Sequence, residues 1–169
     1  MKEILVPDDE IIVSKTDTNS HITYGNKLFI EISGYKEKEL LGQPHNIIRH
    51  PDMPKTVYKL LWDTIKSDKE FFGLVKNRCK NNDYYWVFAN ITASFDHTGK
   101  VIGYFSVRRK PSRKQLEIIS PIYNDILALE KKQQSNKPDF EETSRLLLNK
   151  LAEFGVDYND ALLKLYKQN

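Results

Sequence analysis

Between Phe71 and Arg109 the chain holds three strand-like runs separated by only a few polar residues, Asn81-Asn82-Asp83 and Asp96-His97-Thr98-Gly99. Connections that short cannot carry a crossover helix. The runs Phe71 to Lys80, Tyr84 to Phe95 and Val101 to Arg109 must therefore be antiparallel meander neighbours. The first run alternates cleanly: Lys76, Arg78 and Lys80 share one parity, while Phe71, Gly73, Val75, Asn77 and Cys79 share the other. The charged parity faces water, because an unpaired buried charge is very costly, so Asn77 points toward the core.

Two further short β-rich runs lie near the N-terminus, Ile11 to Val13 and His21 to Tyr24, around the turn formers Thr16 to Ser20. Asn26 can cap the helix that carries Leu28, Phe29 and Ile32 and stops at Gly34, and a second short helix fits Lys36 to Leu41. Val57, Tyr58, Leu60, Leu61, Trp62 and Ile65 mark one face of a longer helix from Pro54 to Ser67. Two strands, several helices and three strands make an α+β unit: a five-stranded antiparallel sheet with its helices on one face.

From Arg113 the pattern becomes helical. A helix over Leu116 to Leu129 is interrupted or restarted at Ser120-Pro121, and Gln133 to Pro138 is a polar linker. Asp139 and Glu142 resemble a capping box ahead of Leu146, Leu147, Leu148 and Leu151. Gly155 closes that helix, and a last one spans Asp157 to Lys167. The expected organisation is an N-terminal cap segment (1–10), a compact domain (11–111) and a C-terminal helical extension (112–169).

Charge and cysteine content narrow the function. Twenty-six Lys and Arg against 23 Asp and Glu leave +3, too little excess for dedicated nucleic-acid binding. The single cysteine, Cys79, excludes an internal disulfide and a cysteine-based zinc cluster. No apolar run reaches the roughly 18 residues of a membrane span, and MKEILVPDDE lacks the apolar stretch of a signal peptide. A cytoplasmic protein without direct membrane insertion is the expectation. Arg108-Arg109-Lys110 with Arg113-Lys114 reads as solvated surface, or as a contact for anionic head groups or an acidic partner.

The densest polar cluster is Gly42 to Pro54, GQPHNIIRHPDMP, which concentrates two of the four histidines with Arg49 and Asp52. Its three prolines and glycine make it a kinked connector before the long helix, suited to holding polar side chains against a ligand. Equally, Arg49 and Asp52 could pair locally, with His45 and His50 serving as caps or surface residues.

This connector, with Ser33-Gly34-Tyr35 before it, resembles the PAS sensor domain of aerotaxis and energy-taxis transducers. Trp62, Val75 to Arg78 (VKNR), Tyr84 to Val87 (YYWV) and Gly103-Tyr104 before Arg108 extend the resemblance over roughly Ile11 to Lys110. It implies a PAS fold, with C-terminal helices added here. It also implies non-covalent FAD and a role in reporting cellular redox state to a chemotaxis signalling partner.

By the same resemblance, Arg49, His50 and Asp52 stand at positions linked to FAD retention, Asn77 and Trp62 lie near the ring, and Asn26 is close by. The chemistry agrees. A carboxamide at Asn77 both donates and accepts at a flavin's pyrimidine edge, Trp62 offers an aromatic face, and Arg49 has a fork suited to phosphate. His45, His50 and Asp52 bond the ribityl or adenosine parts, or hold Arg49 in place. Each has a plainer reading: Trp62 as core, Asn26 as an N-cap.

No catalytic residues, dinucleotide fingerprint or metal ligands are expected, and the chain is not read as an enzyme. A light-oxygen-voltage photoreceptor needs a cysteine on the helical side of the flavin, whereas Cys79 falls on a strand. Two rival classes stay open: a ligand-free PAS interaction module, and a flavoenzyme or a haem-based gas sensor, the latter with His45 or His50 as axial ligand. The expected partner is a membrane-bound chemotaxis-type protein, HAMP or methyl-accepting-like, which recruits this chain to the inner face of the membrane. Leu146, Leu147, Leu148, Leu151, Leu162, Leu163 and Leu165 are candidates for that contact or for a homodimer, unless the helices simply pack on the domain.

Overall fold

The computed structural model describes residues 1–133 and 138–167. The sequence-predicted linker, 133–138, falls mostly outside the described residues. Five antiparallel strands lie in the order β2-β1-β5-β4-β3. They are β1 (Ile12–Thr16), β2 (Ile22–Gly25), β3 (Phe71–Arg78), β4 (Tyr84–Phe95) and β5 (Val101–Arg109). The predicted meander is present, with β4 central to it: Val75 faces Val87, Asn77 faces Tyr85, and Ala89 faces Arg108. Cys79 lies one residue past the end of β3, and its buried thiol donates to the Ile32 carbonyl at 3.1 Å.

Local chemistry sets the turns. Asp17 Oδ1 accepts from the Asn19 and His21 amides (both 2.9 Å), which closes the β1–β2 hairpin. Gly103 lies where a Cβ would strike the Thr16 carbonyl, so β5 and β1 approach closely only because the side chain is missing. Between β2 and β3 come α1 (Lys27–Ser33), α2 (Glu37–Leu40), a single 3-10 turn (His45–Ile48) and α3 (Lys55–Lys66).

One strand parity of the sheet, with Asn77, Val75 and Ala89, faces the cavity under α3. The other is partly covered by α4 (Arg113–Lys132) and α6 (Tyr158–Lys167). Trp86 stacks on Tyr123 at 6.3 Å between centroids, and Phe88 on Tyr166 at 4.5 Å. Helix α4 is continuous through Pro121, contrary to the expected interruption. Pro121 is on the exposed side, and the single lost hydrogen bond is outweighed by burial of Leu116, Ile119, Ile122, Tyr123 and Ile126.

Helix α5 (Phe140–Leu151) is capped by Asp139 Oδ1, which accepts from the Glu141 and Glu142 amides. The reciprocal half of the expected capping box is absent, because the Gln133 side chain takes its place. Gln133 accepts from the Asp139 amide (2.7 Å) and donates to Glu142 (2.8 Å). Of the leucines offered as partner contacts, Leu147, Leu151, Leu162 and Leu165 are buried in this chain's own core. Leu146 and Leu163 pack against the core, and Leu148 reaches the surface. All but Leu148 are thus engaged in the chain's own packing.

The edge strand β3 is closed off by side chains. Asn159 of α6 accepts from the Phe72 amide (3.0 Å) and donates to the Glu70 carbonyl (2.7 Å), while Tyr123 donates to the Leu74 carbonyl (2.8 Å). Further along, the Lys76 amide points at Met53 Sδ (3.3 Å) and Arg49 bridges Asn77. The kinked connector thus touches the edge of β3 at Arg49 and Met53, and this positions Arg49.

Candidate functional site

Between the sheet and α3 lies a cavity of about 300 Å³. Helix α3 supplies Tyr58, Leu61, Trp62 and Ile65; the sheet supplies Val75, Ala89, Ile91 and Tyr104. Trp62 meets Tyr104 edge to face at 5.4 Å. The exposed residues Asn19, Pro44 and Asn46 line its outer end. A mostly apolar slot with a few converging polar groups is the usual form of a small-molecule site.

The polar groups gather at one place. Asn77, 4% exposed, points into the cavity as the alternation of β3 predicts. Arg108, 3% exposed, donates through Nη2 to Ser14 Oγ at 2.6 Å, and its Nε and Nη1 are buried with no hydrogen-bond partner. Its guanidinium carbon sits 4.7 Å from the Phe29 ring centroid. Burial lowers its pKa to about 10, so it stays charged at neutral pH. Ser14 Oγ is also 2.9 Å from His45 Nε2, and the His45 ring is stacked on Phe29. Burial, with Arg108 nearby, lowers the His45 pKa to about 3 and keeps the imidazole neutral. The fully buried Tyr85 hydroxyl faces Asn77 without a well-formed bond to it, and burial pushes its pKa well up.

This cluster is therefore rich in donors, carries one buried positive charge, and leaves Arg108 Nε–H, Arg108 Nη1–H and Tyr85 O–H without acceptors. Buried donors left in this state are rare and costly. The arrangement suits an acceptor-bearing, electron-rich group.

Four of the seven sequence-predicted site residues line the cavity: His45, Arg49, Trp62 and Asn77. Arg49 lays its guanidinium over the Tyr58 ring, with Cζ 3.4 Å from the centroid. The other three are not on its wall. His50, 1% exposed, accepts the Asp52 amide on Nδ1 (3.1 Å), which leaves Nε2 with the proton and without a partner. Burial, then Lys76, lowers the His50 pKa. Asp52 pairs with Lys76 at 3.0 Å, a bond that holds its carboxyl below the usual range. Both residues fasten the connector that presents Arg49. Asn26 Oδ1 caps α1 through the Phe29 amide (3.1 Å) and also accepts from Val13, while Nδ2 donates to the Ile11 carbonyl.

Sequence reasoning misplaced Arg108, which is interior rather than part of a solvated basic stretch. Its neighbours do behave as surface: Lys110 pairs with Asp8 and Arg113 with Glu3. Both parities of β5 end in arginine, Arg108 and Arg109, so charge alone could not say which faced inward. Tyr58, Ser14 and Tyr85 were also missed as site residues. Among the described residues no cluster of His, Cys, Asp and Glu is placed to hold a metal ion, and no helix is long and apolar enough to cross a membrane.

The family model described as PAS fold matches residues 22–108. The aerotaxis receptor of Escherichia coli (strain K12) is 43% identical over 121 residues, spanning 72% of this chain and 24% of that protein. The nitrogen fixation regulatory protein of Klebsiella pneumoniae is 24% identical over 133 residues, spanning 73% and 27% respectively. This chain thus spans about a quarter of the length of either relative. Among solved structures, the dark state of the blue-light photoreceptor Aureochrome1 LOV matches with a TM-score of 0.57 at 17% identity, covering 73% of this chain and 86% of that one. The PAS domain of a protein from Colwellia psychrerythraea matches with a TM-score of 0.56 at 16% identity, covering 61% and 87%. At these identities the structural likeness speaks for the fold alone.

Proposed function

This chain belongs to the PAS fold family, and from that premise we propose that it is a redox sensor for energy taxis rather than an enzyme. It holds FAD non-covalently in the cavity and passes the cofactor's state to a membrane-bound chemotaxis-type partner, HAMP or methyl-accepting-like, at the inner face of the membrane. The similarity to an aerotaxis receptor supports the taxis role. The flavin assignment is supported by the resemblance of the connector and by the chemistry of the cavity lining.

The observation that carries the proposal is the donor-rich end of an apolar slot. Arg108 and Tyr85 leave donors unsatisfied beside Asn77, while Trp62, Tyr58 and Tyr104 supply aromatic walls. An isoalloxazine fits that chemistry, being flat and apolar with an acceptor-bearing pyrimidine edge. Asn77 and Arg108 would hold the edge, Trp62 and Tyr58 would flank the ring, and Arg49 with the connector would meet the phosphates. Bound there, a flavin supplies a reversible reduction that changes a ring nitrogen from acceptor to donor and alters charge at the edge. Asn77 can answer by turning its carboxamide, since oxygen and nitrogen exchange roles; an unanswered change is worth about 1–3 kcal/mol. An imbalance of that size is enough to bias a two-state contact.

The haem alternative needs a free ring nitrogen facing the cavity. His50 is off the wall, and His45, which is on it, would have to give up the contact between Nε2 and Ser14 to ligate through that nitrogen. A ligand-free module would keep the buried guanidinium half unsatisfied with nothing gained. Absorption spectra of the purified full chain, before and after incubation with FAD, decide among these readings. Flavin bands are expected. A Soret band, or colourless protein that takes up no added FAD, overturns the proposal.

A further inference from the structure

Helix α3 carries four cavity residues, yet Pro54 before it offers no capping side chain. The cap comes from the C-terminal extension. Glu130 of α4 accepts the Lys55 amide on Oε2 (3.0 Å) and, on Oε1, the Thr56 amide (2.8 Å) and hydroxyl (2.7 Å). The Thr56 hydroxyl oxygen also lies 2.7 Å from Thr143 Oγ1 of α5. Glu130 is buried, and both of its carboxyl oxygens are engaged by the first turn of α3.

A buried carboxylate balanced in this way cannot be left behind. Displacing α3 by a fraction of a turn would strand it without donors, which is far costlier than moving α4 and α5 with the helix. At its other face the same helix meets the cavity through Tyr58, over which Arg49 is stacked, and through Trp62.

We infer that Glu130 is a positioning residue for the cavity, and that it couples α4 and α5 to whatever fills it. The C-terminal helices are then part of the site rather than an appendage. The inference rests on the proposed function only for the identity of the ligand.

Hydrogen exchange on the full chain tests this in wild type, Glu130→Gln, Arg49→Ala and the double variant. Thr143→Val repeats the test should Glu130→Gln fail to fold. Glu130→Gln is expected to speed exchange in the first turns of α3 by about tenfold. Arg49→Ala is expected to speed exchange in α5, and the double variant to show less than the product of the two effects. Unchanged α3 exchange in Glu130→Gln, or fully independent effects in the double variant, overturns the inference. A second arm adds FAD: it should slow exchange in α5 of wild type and not of Glu130→Gln. Protection confined to the cavity walls makes Glu130 merely structural and overturns the coupling. Wild type that takes up no FAD sinks the flavin reading instead, and the ligand-free cycle still decides this one.

Discussion

Arg108 and Ser14, 94 residues apart in the chain, meet in a 2.6 Å hydrogen bond that leaves the rest of the guanidinium unsatisfied in the interior. A buried charge in this state is costly, and on the proposed function an acceptor on the ligand would satisfy it. Arg108→Met should therefore move two properties in opposite directions. Thermal unfolding of the ligand-free variant should show equal or greater stability, by up to about 1–4 kcal/mol. Its affinity for FAD, measured by flavin fluorescence, should fall by about tenfold or more. A variant that binds as well as wild type would remove Arg108 from the site.

Asn77→Ala and Arg49→Ala should each weaken flavin retention by about tenfold while leaving circular dichroism largely unchanged. The two should separate by ligand. Arg49→Ala should discriminate less between riboflavin, which lacks phosphate, and FAD, whereas Asn77→Ala should weaken both alike. Full retention in both variants removes the ring-edge and phosphate assignments together.

The depressed His45 pKa predicts an acid-sensitive fold. The group is neutral in both states above its unfolded value of 6.5, so it costs nothing there. As pH falls from about 6.5 toward about 3 the unfolded chain takes up a proton that the folded one refuses. Stability then drops by up to about 1.4 kcal/mol per pH unit from this residue. His45→Asn should flatten that decline, so urea midpoints at pH 7 and pH 4.5 lie closer together than in wild type. Parallel slopes in the two proteins would show that the imidazole is not enclosed.

Asn159→Ala removes a two-way bond to the backbone of β3. A loss of about 1–2 kcal/mol in stability is expected from denaturant unfolding, together with faster exchange at Phe72. An unchanged midpoint would mean that water replaces the amide at no cost.

The meander and the inward turn of Asn77 could be read from the chain because β3 alternates charge strictly and its turns are short. The helices of the first hundred residues were legible for a similar reason, each having a cap or an apolar stripe. Tertiary geometry hid the rest. Pro121 sits where solvent tolerates it, so a helix expected to break at that point runs on. Asn26, His50 and Asp52 look like ligand groups in the sequence, yet they spend their hydrogen bonds on backbone and on Lys76. Arg108 had no local mark of its interior position, because the acceptor it meets, Ser14, comes from the opposite end of the domain.

The fastening of β3 by Asn159, Tyr123, Met53 and Arg49 constrains how this molecule can meet another. At the opposite border, β2 is four residues long, and Ile22 is already bonded to Gln43 and Gly42. Neither margin offers a run of open backbone on which a foreign strand could zip. A partner of the kind proposed would therefore be met broadside, side chain against side chain, by surface residues that can change without disturbing the ladder beneath.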